Sequence, residues 1–590
     1  MTDIMSLLEA HAERFGDKPA LCNGPTGNTE SISYRQLWHD VQRLAGHLMD
    51  QGVVPGDRVA ILSESRAEWG VCFFAILHAG AIVVPMDAKM SQTEFESIIR
   101  DSSPKALFIS KDFLDIAAPL RSNDSSIEHV FVMDKDYHGN DFPSIHQIQS
   151  TTPLPDRTPE PDELAVIFYT SGTMGSSKGV MITFGNLNFQ MDSLGDIVAF
   201  THKDRFLSIL PLSHVLELTG GLLYLLSLGT TIIYARTILP QELLKLMQER
   251  KVTAMVAVPM FFQVLKNKIE SEMRSKGKLA QVWFDTSIKL AQSIQSEKIR
   301  RLMFVPILRK FGGKLRIILS GGAPLDPQVE QFFNLIGINL LQGYGLTETS
   351  PTISVNVPHA QRGGSVGKPL KGVEVRIDAK DGELEGEILT RGPHVMKGYY
   401  KLDNLTKTTV DEEGWLRTGD LGHLDEDGYL YITGRAKNLI VLSNGLKVQP
   451  EEVEEVLLRA STIQEVCVCA PAQNTARAQR TSEICAVVTP TESLLELAEF
   501  NLEKLRLAVE TEIAQLAQSL APHKRPKRVL IYDGELPKTT TKKVKRLIIH
   551  EWLDNGETNK NNSDATEAVA GDREPAPAKT QTTNPDLADG

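Results

Sequence analysis

Residues 169–180 read YTSGTMGSSKGV and follow an apolar run, LAVIF at 164–168, that is typical of a buried strand. Glycines let a backbone turn tightly and present its N–H groups to an anion, and hydroxyl side chains donate to phosphate oxygens. Lys178 adds a mobile positive charge. The stretch therefore predicts a polyphosphate-binding loop after a strand, but not a Walker A loop, because Gly179 follows the lysine where Ser or Thr is required. A polar surface turn is the alternative that the loop alone leaves open.

Length and composition predict a large globular protein of several structural units, since the chain has 590 residues and ordinary apolar and charged contents. The net charge of −12 argues against nucleic acid as a partner. Five scattered cysteines favour a reducing compartment, and the N-terminus lacks the pattern of a secretory signal. The uncharged stretch 218–235 is interrupted by glycines and predicts buried core, not a membrane span. We therefore expect a cytoplasmic protein.

The order of apolar runs and helical patterns predicts the fold class. Through the first four hundred residues, runs such as RVAIL at 58–62 alternate with helical stretches such as PQELLKLMQER at 240–250, which indicates α/β layers with largely parallel sheets. After about residue 364, short strands rich in Gly and Pro predict a small antiparallel, barrel-like part. A smaller α+β unit is predicted to begin near Gly434. The expected boundaries are 1–434, 435–553, and a disordered acidic tail over 554–590.

Four further motifs share the character of the first. They are LSGGAPLDPQVEQFF (319–333), INLLQGYGLTETSPTISVN (338–356), GWLRTGDLGHLDEDGYLYITGRAKNLIVLSNGLKVQPEEVEEVL (414–457) and LPKTTTKKVKR (536–546). With the loop at 169–180, their order and spacing resemble the adenylate-forming superfamily of acyl-CoA synthetases, luciferases and peptide-synthetase adenylation domains. The resemblance covers about residues 5–550. It implies a large N-terminal domain joined by a hinge to a small, mobile C-terminal domain.

The resemblance also implies a two-step reaction. A carboxylate attacks the α-phosphorus of ATP to give acyl-AMP and pyrophosphate, and a thiol then displaces AMP. The first step requires charge neutralisation at a crowded phosphate, which positioning and electrostatics supply. The implied small molecules are a carboxylic acid, ATP, Mg²⁺ and coenzyme A.

By the same resemblance, one group of side chains would hold the phosphates and the metal. The β- and γ-phosphates would lie on Thr170, Ser171, Gly172, Thr173, Gly175 and Lys178, while Thr347 would contact the α-phosphate and Glu348 would bind Mg²⁺. Two positions depart from the family pattern: Met174 stands where Thr is usual and Ser177 where Pro is frequent. Neither change removes the glycines or the lysine.

A second group would hold the nucleoside and serve the small domain. The adenine slot would consist of Gly321, Gly322, Ala323, Gln342, Gly343 and Tyr344. Asp420 would accept both ribose hydroxyls, Arg435 would support the sugar, Lys437 would lie at the hinge, and Gly445 would let pantetheine pass after the small domain rotates. The lysine that bridges the acid and the α-phosphate matches Lys543; Lys542 stands at the usual glycine, which leaves the register between these two open.

Substrate class is indicated by the segment ILPLSHVLELTGGLL. It lacks the aspartate with which peptide-synthetase domains read an amino group, and His214, a further catalytic candidate, and Glu217 resemble long-chain fatty-acyl members, as does a helical insertion at about 265–312. Leu218 is the counterpart of a tryptophan that gates the acyl tunnel in some members, so chain length stays open. The prediction is a long-chain fatty acid–CoA ligase. The alternatives are an acyl–acyl-carrier-protein ligase and a ligase of another hydrophobic acid; a non-enzymatic lipid-binding protein is disfavoured because the catalytic residues are present.

Basic residues are concentrated between Lys266 and Arg316, where thirteen Lys or Arg stand against four Asp or Glu. A solvated helical face is one interpretation. The opposite sign of the whole chain favours another, peripheral contact with an anionic membrane. An acidic carrier protein could use the same surface.

Overall fold

The computed structural model describes residues 3–561 except 25–30, 118–125, 172–176, 196, 198–199, 359, 471–482, 498–500 and 539–543; of 171, 493, 497, 502 and 554–561 it describes the backbone alone. The strands are β1 Pro19–Asn23, β2 Ser31–Ser33, β3 Arg58–Leu62, β4 Ile82–Met86, β5 Ala106–Ile109, β6 His129–Val132, β7 Leu164–Ser171, β8 Ser177–Thr183, β9 Arg205–Ser208, β10 Thr231–Tyr234, β11 Ala254–Ala257, β12 Ile317–Ser320, β13 Asn339–Tyr344, β14 Ser354–Val355, β15 Lys368–Pro369, β16 Glu374–Asp378, β17 Gly386–Arg391, β18 Gly398–Tyr399, β19 Leu416–Leu424, β20 Leu430–Arg435, β21 Ile440–Val441, β22 Lys447–Val448, β23 Ile463–Cys469, β24 Cys485–Pro490 and β25 Arg528–Ile531.

The helices lie between and after these strands. They are α1 Leu7–Phe15, α2 Tyr34–Asp50, α3 Ala67–His78, α4 Gln92–Ser102, α5 Leu114–Ala117, α6 Phe184–Gly195, α7 Tyr224–Ser227, α8 Pro240–Arg250, α9 Pro259–Ser275, α10 Lys278–Ala291, α11 Glu297–Met303, α12 Val305–Leu308, α13 Pro327–Leu335, α14 Asp403–Thr409, α15 Pro450–Leu457, α16 Glu492–Leu497, α17 Leu502–Leu516 and α18 Arg546–Asn561. A π-helical turn, Glu217–Leu223, leads into α7.

Two large sheets confirm the predicted α/β layers. One has nine strands in the order β15-β14-β13-β12-β11-β9-β10-β1-β2, and the other has seven in the order β18-β8-β7-β4-β3-β5-β6. The central strands of each sheet are parallel, as in β11–β12 and β3–β4. The edge strands β2, β15 and β18 pair antiparallel, and the fourth edge strand, β6, pairs parallel. Helix α3 contacts β1 of the first sheet and β3 and β4 of the second, and all its residues are buried. Its nearly continuous apolar sequence therefore fits a layer between two sheets.

The antiparallel part after residue 364 is a four-stranded sheet, β16-β17-β19-β20. Every neighbouring pair in it is antiparallel, as predicted. The sheet is open, however, so the barrel-like closure is not observed. Its last strand ends at Arg435, and the hydrophobic core of the small unit begins at Ile440.

The small unit is a three-stranded sheet, β23-β24-β25, with helices on both faces. Alternation along β23 turns Val466 and Val468 toward the core shared with α15 and α17, and Cys467 and Cys469 toward α18. The single amphipathic helix predicted over about 493–520 is two helices, α16 and α17. Helix α18 reaches Asn561, eight residues into the segment predicted to be disordered. Among the described helices, none has the length and apolar composition that crossing a bilayer requires.

Candidate functional site

The predicted motifs meet at one cleft of about 3460 Å³, which is lined by both the large domain and the small unit. The ends of parallel strands β9, β11 and β12 contribute to it, which is where open α/β sheets bind ligands. Fourteen of the predicted site residues line this cleft: Thr170, Lys178, His214, Gly321, Gly322, Ala323, Gln342, Gly343, Tyr344, Thr347, Glu348, Asp420, Arg435 and Lys437. The sequence motifs therefore converge in space.

Asp420 is the centre of a polar cluster at one end of the cleft, the Asp420 cluster, formed with Tyr344 and Arg435. The carboxylate is 3 % exposed, accepts a hydrogen bond from the Tyr344 hydroxyl at 2.7 Å and lies 2.7 Å from Arg435 Nε. Asp420 and Arg435 are direct partners across β19 and β20, so the sheet itself fixes their spacing. Burial, together with the neighbouring carboxylate, holds the pKa of Tyr344 well above its ordinary value. The tyrosine therefore stays a donor, and the carboxylate keeps lone pairs for further donors.

After β12 the chain makes a turn that begins with two glycines, Gly321 and Gly322. Gly322 has φ +85°, and a Cβ added there would meet nothing within 4 Å, so the turn leaves open space in the cleft. Gln342 is buried, and within the described part of the chain its side-chain oxygen accepts no hydrogen bond. A flat slot with an unused acceptor suits a purine that carries an amino group.

Lys178 and Glu348 also line the cleft, and both approach Tyr399. Lys178 is the register partner of Thr170 across β7 and β8, and its ammonium lies 5.4 Å from the centre of the Tyr399 ring. The Tyr399 hydroxyl donates to Glu348 Oε1 at 2.8 Å. Ser171 lies at the end of β7, while Gly172, Thr173 and Gly175 lie outside the described residues. This part of the cleft therefore holds the Lys178 ammonium, the Glu348 carboxylate and the start of the predicted phosphate-binding loop.

The residues fit ATP with Mg²⁺. Among described side chains there is no group of three or more His, Cys, Asp or Glu that could enclose a metal ion by itself. Mg²⁺ needs no such group, because it is commonly held by one or two carboxylates together with substrate phosphates and water. Glu348 Oε1 is engaged by Tyr399, which leaves the other oxygen for a cation.

Part of the cleft lining is hydrophobic, here the apolar arm. It consists of Ile209, Leu216, Val256, Met260, Phe261 and Val264, and His214 lines the same cleft. Leu216 adjoins the turn after β12, since a Cβ added to Gly321 would lie 3.2 Å from its Cδ2. Leu218 does not line the cleft; it is fully buried in the core of the large domain. Glu217 is also fully buried, in the π-helical turn, and burial raises its pKa to about 8.

On the small-unit side, Lys437 lines the cleft, and burial with the nearby Arg435 charge lowers its pKa. Gly445 lies in the turn between β21 and β22 and does not line the cleft. Lys543 and its neighbour Lys542 lie outside the described residues, but the chain on both sides of them lines the cleft, including Lys538 and Val544.

The residues on both sides of 539–543, here the small-domain segment, are anchored. Lys538 forms an ion pair with Glu465, which is 4 % exposed and also accepts from the Leu536 N–H at 2.9 Å. On the other side, Arg546 lies 2.6 Å from Glu454 and donates to the Val468 carbonyl at 2.8 Å. Lys538 and Val544 form an antiparallel β-bridge with each other.

Sequence reasoning missed Tyr399 and the two anchors. Tyr399 stands in MKGYYKL, a pattern without a chemical signature, and the strand pairing of β18 with β8 brings it to Lys178. Glu465 and Lys538 are 73 residues apart in the chain. Only the basic run at 536–546 could have indicated that acidic partners must lie nearby.

Comparison with known proteins agrees with this geometry. The profile of the AMP-binding enzyme family matches residues 8–400, and that of the AMP-binding enzyme C-terminal domain matches 452–543. A long-chain-fatty-acid–CoA ligase of Bacillus subtilis is 29% identical over 94% of this chain and 95% of its own. One from Mycobacterium tuberculosis is 30% identical over 75% and 76%. Others at 27–28% identity are a medium-chain fatty-acid–CoA ligase of Escherichia coli, a long-chain-fatty-acid–[acyl-carrier-protein] ligase of Arabidopsis thaliana and a 2-succinylbenzoate–CoA ligase of Bacillus licheniformis.

Solved structures agree as well. ATP-bound MatB from Rhodopseudomonas palustris has a TM-score of 0.72 at 26% identity, and covers 94% of this chain and 99% of its own. The anthranilate CoA ligase AuaEII, with a TM-score of 0.75 at 21% identity and coverage of 94% and 98%, shares the fold. The chain thus belongs to the AMP-binding, adenylate-forming enzyme family. Within that family it is an acyl- or aryl-CoA ligase.

Proposed function

We propose that this enzyme activates a long-chain fatty acid with ATP, releases pyrophosphate, and transfers the acyl group from acyl-AMP to coenzyme A. The observation that carries the proposal is the apolar arm. It includes Leu216, close to His214 in the chain, and Met260 and Val264 at the start of α9. A carboxylate at the nucleotide end would leave an alkyl chain in this arm, where burial of each CH₂ contributes about 0.8 kcal/mol.

The large domain would bind and orient the nucleotide. Asp420 would accept the ribose hydroxyls while Arg435 and Tyr344 hold its carboxylate in place, and Gln342 with the turn at Gly321–Ala323 would border the adenine. Lys178 and the loop before it would bind the β- and γ-phosphates, and Thr347 would contact the α-phosphate. Glu348 would hold Mg²⁺, which neutralises phosphate charge when bound. His214 would border the acid at the start of the apolar arm.

The small domain would serve the two steps in turn. We propose that the small unit predicted over 435–553 is the one that moves, with Arg435 retained at the end of β20 and Lys437 at the hinge. Lys543 would stabilise charge at the α-phosphate during adenylation, and Gly445 would line the pantetheine path after rotation. The composition of residues 554–590 predicts a disordered tail, and 562–590 of this segment lie outside the described residues.

Acyl carrier protein is the second candidate acceptor. One relative, from Arabidopsis thaliana, is named as a ligase of this type, and the basic segment 266–316 would suit an acidic carrier. For location we propose the cytoplasm with peripheral contact to the inner face of a membrane.

Pyrophosphate release across a series of fatty-acid lengths tests the proposal, with coenzyme A and carrier protein offered side by side. The expected result is a maximum for long chains and acyl transfer to coenzyme A. A maximum for short or aromatic acids would reject the substrate class. Transfer to carrier protein alone would favour the second candidate.

A further inference from the structure

Residues 396–400, here the bridging segment, connect the strand that carries Lys178 with the helical turn Thr347–Thr349 that carries Glu348. Strand β18 lies within this segment and pairs antiparallel with β8, in which Lys178 is the second residue. On the other side, the Met396 N–H donates to the Glu348 carbonyl at 2.9 Å. The backbone of one short stretch therefore contacts both elements that carry the charges of the proposed phosphate and metal site.

The approach of the bridging segment to β8 requires a glycine. The Tyr400 N–H donates to the Gly179 carbonyl at 2.7 Å. A Cβ added to Gly179 would lie 3.1 Å from the Tyr400 Cβ and 2.9 Å from Ile167 Cγ2, so a larger residue could not fit without displacing its neighbours. Contact with the bridging segment therefore explains the glycine that follows Lys178 in SSKGV.

Tyr399 extends this connection from the backbone to the side chains. Its ring is buried, and its N–H donates to Thr406 Oγ1 at 2.9 Å, which fixes the backbone of the residue. Its hydroxyl donates to Glu348 Oε1 at 2.8 Å, and the Lys178 ammonium lies over the ring, 5.4 Å from its centre. One aromatic side chain thus contacts a carboxylate through its hydroxyl and an ammonium through its face.

The hydroxyl of Tyr399 is suited to hold a metal-binding carboxylate. Burial and the Glu348 charge raise the pKa of Tyr399, so its phenol remains a hydrogen-bond donor. A donor on one carboxylate oxygen restricts rotation of the carboxylate and leaves the other oxygen for a cation. Loss of a group that orients a metal ligand in this way typically weakens metal binding about 10–100-fold.

The ring face of Tyr399 is suited to hold the lysine. An ammonium within about 6 Å of an aromatic centre is attracted by the ring electrons. Within the described part of the chain, Lys178 and Glu348 both contact this ring and form no ion pair with each other. The ammonium has three donors, so it can keep its place on the ring and still donate to phosphate oxygens.

We propose that Tyr399 is a positioning residue for both charges of the nucleotide site: its hydroxyl orients Glu348 for Mg²⁺, and its ring holds Lys178 beside the phosphates. The inference deepens the proposed function and rests on it for the roles of Glu348 and Lys178. Because the two charges depend on different parts of one side chain, removal of the hydroxyl and removal of the ring should have separable effects on ATP binding.

Calorimetric titration of the full-length enzyme with ATP tests the inference, without fatty acid or coenzyme A, so that no reaction follows. Each variant is titrated in excess Mg²⁺ and again in EDTA. Tyr399→Phe, which removes only the hydroxyl, should weaken binding of Mg·ATP about tenfold and leave binding in EDTA unchanged. The matched control is Tyr34→Phe, which should change neither affinity. The Tyr34 hydroxyl is also buried and donates to the Thr230 carbonyl at 2.7 Å, but Tyr34 does not line the cleft.

Two further variants separate positioning from a structural contribution. Tyr399→Leu also removes the ring, and the affinity for ATP in EDTA should then fall about fivefold, the loss expected for one cation–π contact. Tyr399→Phe combined with Glu348→Gln should bind Mg·ATP no more weakly than Glu348→Gln, since the hydroxyl acts through that carboxylate. A structural contribution of the hydroxyl would instead add in the double variant.

The outcomes also separate this inference from the proposed function. Tyr399→Phe with wild-type affinity for Mg·ATP, equal weakening in Mg²⁺ and EDTA, additive losses in the double variant, or Tyr399→Leu with wild-type affinity in EDTA would each overturn it. Wild-type binding of Mg·ATP by Glu348→Gln would reject the proposed metal ligand and, with it, the role of Tyr399. Activation of a short or aromatic acid would reject the proposed substrate and leave the titration results intact.

Discussion

On the large-domain side of the cleft, the Asp420 cluster lies on paired strands. On the small-unit side, ion pairs hold the residues that flank the segment 539–543. Asp420 and Arg435 are set opposite each other by β19 and β20, and the Tyr344 hydroxyl completes the contact. On the small-unit side, Lys538 with Glu465 and Arg546 with Glu454 fix the residues on either side of 539–543.

The difference indicates a division of labour. A nucleotide that binds in every step is served by a preorganised site, because the cost of ordering has already been met by the fold. In the proposed cycle, Lys543 would act in the adenylation step alone and would then withdraw with the small unit. If this is correct, changes on the two sides of the cleft should affect different steps.

Lys543→Ala should have the largest effect. Loss of a charge that stabilises the transition state at the α-phosphate should slow acyl-AMP formation roughly 10²–10³-fold. Conversion of supplied acyl-AMP to acyl-CoA should be largely retained, because the small domain has then turned away. Each step is measured separately, by pyrophosphate release and by acyl-CoA formation. Equal loss in both steps, or a larger effect of Lys542→Ala, would contradict the assigned register or the division of labour.

Glu465→Gln should impair adenylation indirectly, through loss of the ion pair with Lys538 next to the segment 539–543. It removes the buried partner of Lys538, and breaking such a pair costs about 3 kcal/mol or more in stability. We expect acyl-AMP formation to fall about tenfold while acyl transfer falls less. Replacement of both residues, as Glu465→Leu with Lys538→Met, should restore most of the stability measured by urea unfolding. Glu510→Gln, which breaks an exposed pair with Arg506, is the control and should cost less than about 1 kcal/mol. No loss of stability in Glu465→Gln would refute the anchor.

Asp420→Asn tests the preorganised side. Hydrogen bonds to a charged group contribute about 1.5–3 kcal/mol, so the KM for ATP should rise tenfold to a hundredfold. The effect should appear at every fatty-acid length, since the proposed contact of Asp420 is with the ribose and not with the acid. Initial rates against ATP concentration measure it. The exposed Asp381→Asn should leave the KM unchanged. An Asp420→Asn enzyme with wild-type KM for ATP would exclude ribose binding there.

The smallest effect on catalysis is expected for Glu217, which is fully buried in the π-helical turn. Glu217 has an ordinary pKa of 4.5 and about 8 in the fold, because burial disfavours its charge. Between these pH values the folded chain keeps a proton that the unfolded chain loses, so stability should fall as the pH rises. Glu217→Gln should remove this loss and exceed the wild type by on the order of 5 kcal/mol near about pH 9, with no gain near about pH 4. Thermal unfolding across pH measures it, with the exposed Glu412→Gln as control. A gain that is independent of pH would contradict a buried neutral carboxyl.

Much of the fold could be predicted because local signals agree with it. Strand β3 and helix α8 have the predicted bounds, since an uninterrupted apolar run and a proline start define them. The Asp420 cluster was predictable as residues, from motifs, but not as contacts. The Glu465–Lys538 pair could not be predicted, because the two residues are 73 positions apart and the sequence around each does not indicate the other as its partner. The break between α16 and α17 was also missed, since apolar periodicity continues across it.

The exchange of labelled pyrophosphate into ATP tests the central claim most directly. We predict that the enzyme catalyses this exchange when a long-chain fatty acid is present and coenzyme A is absent, because adenylation is a complete and reversible step. Addition of coenzyme A should then yield AMP and acyl-CoA in equal amounts. Release of ADP and phosphate, or exchange that requires coenzyme A, would contradict an acyl-adenylate mechanism in this cleft.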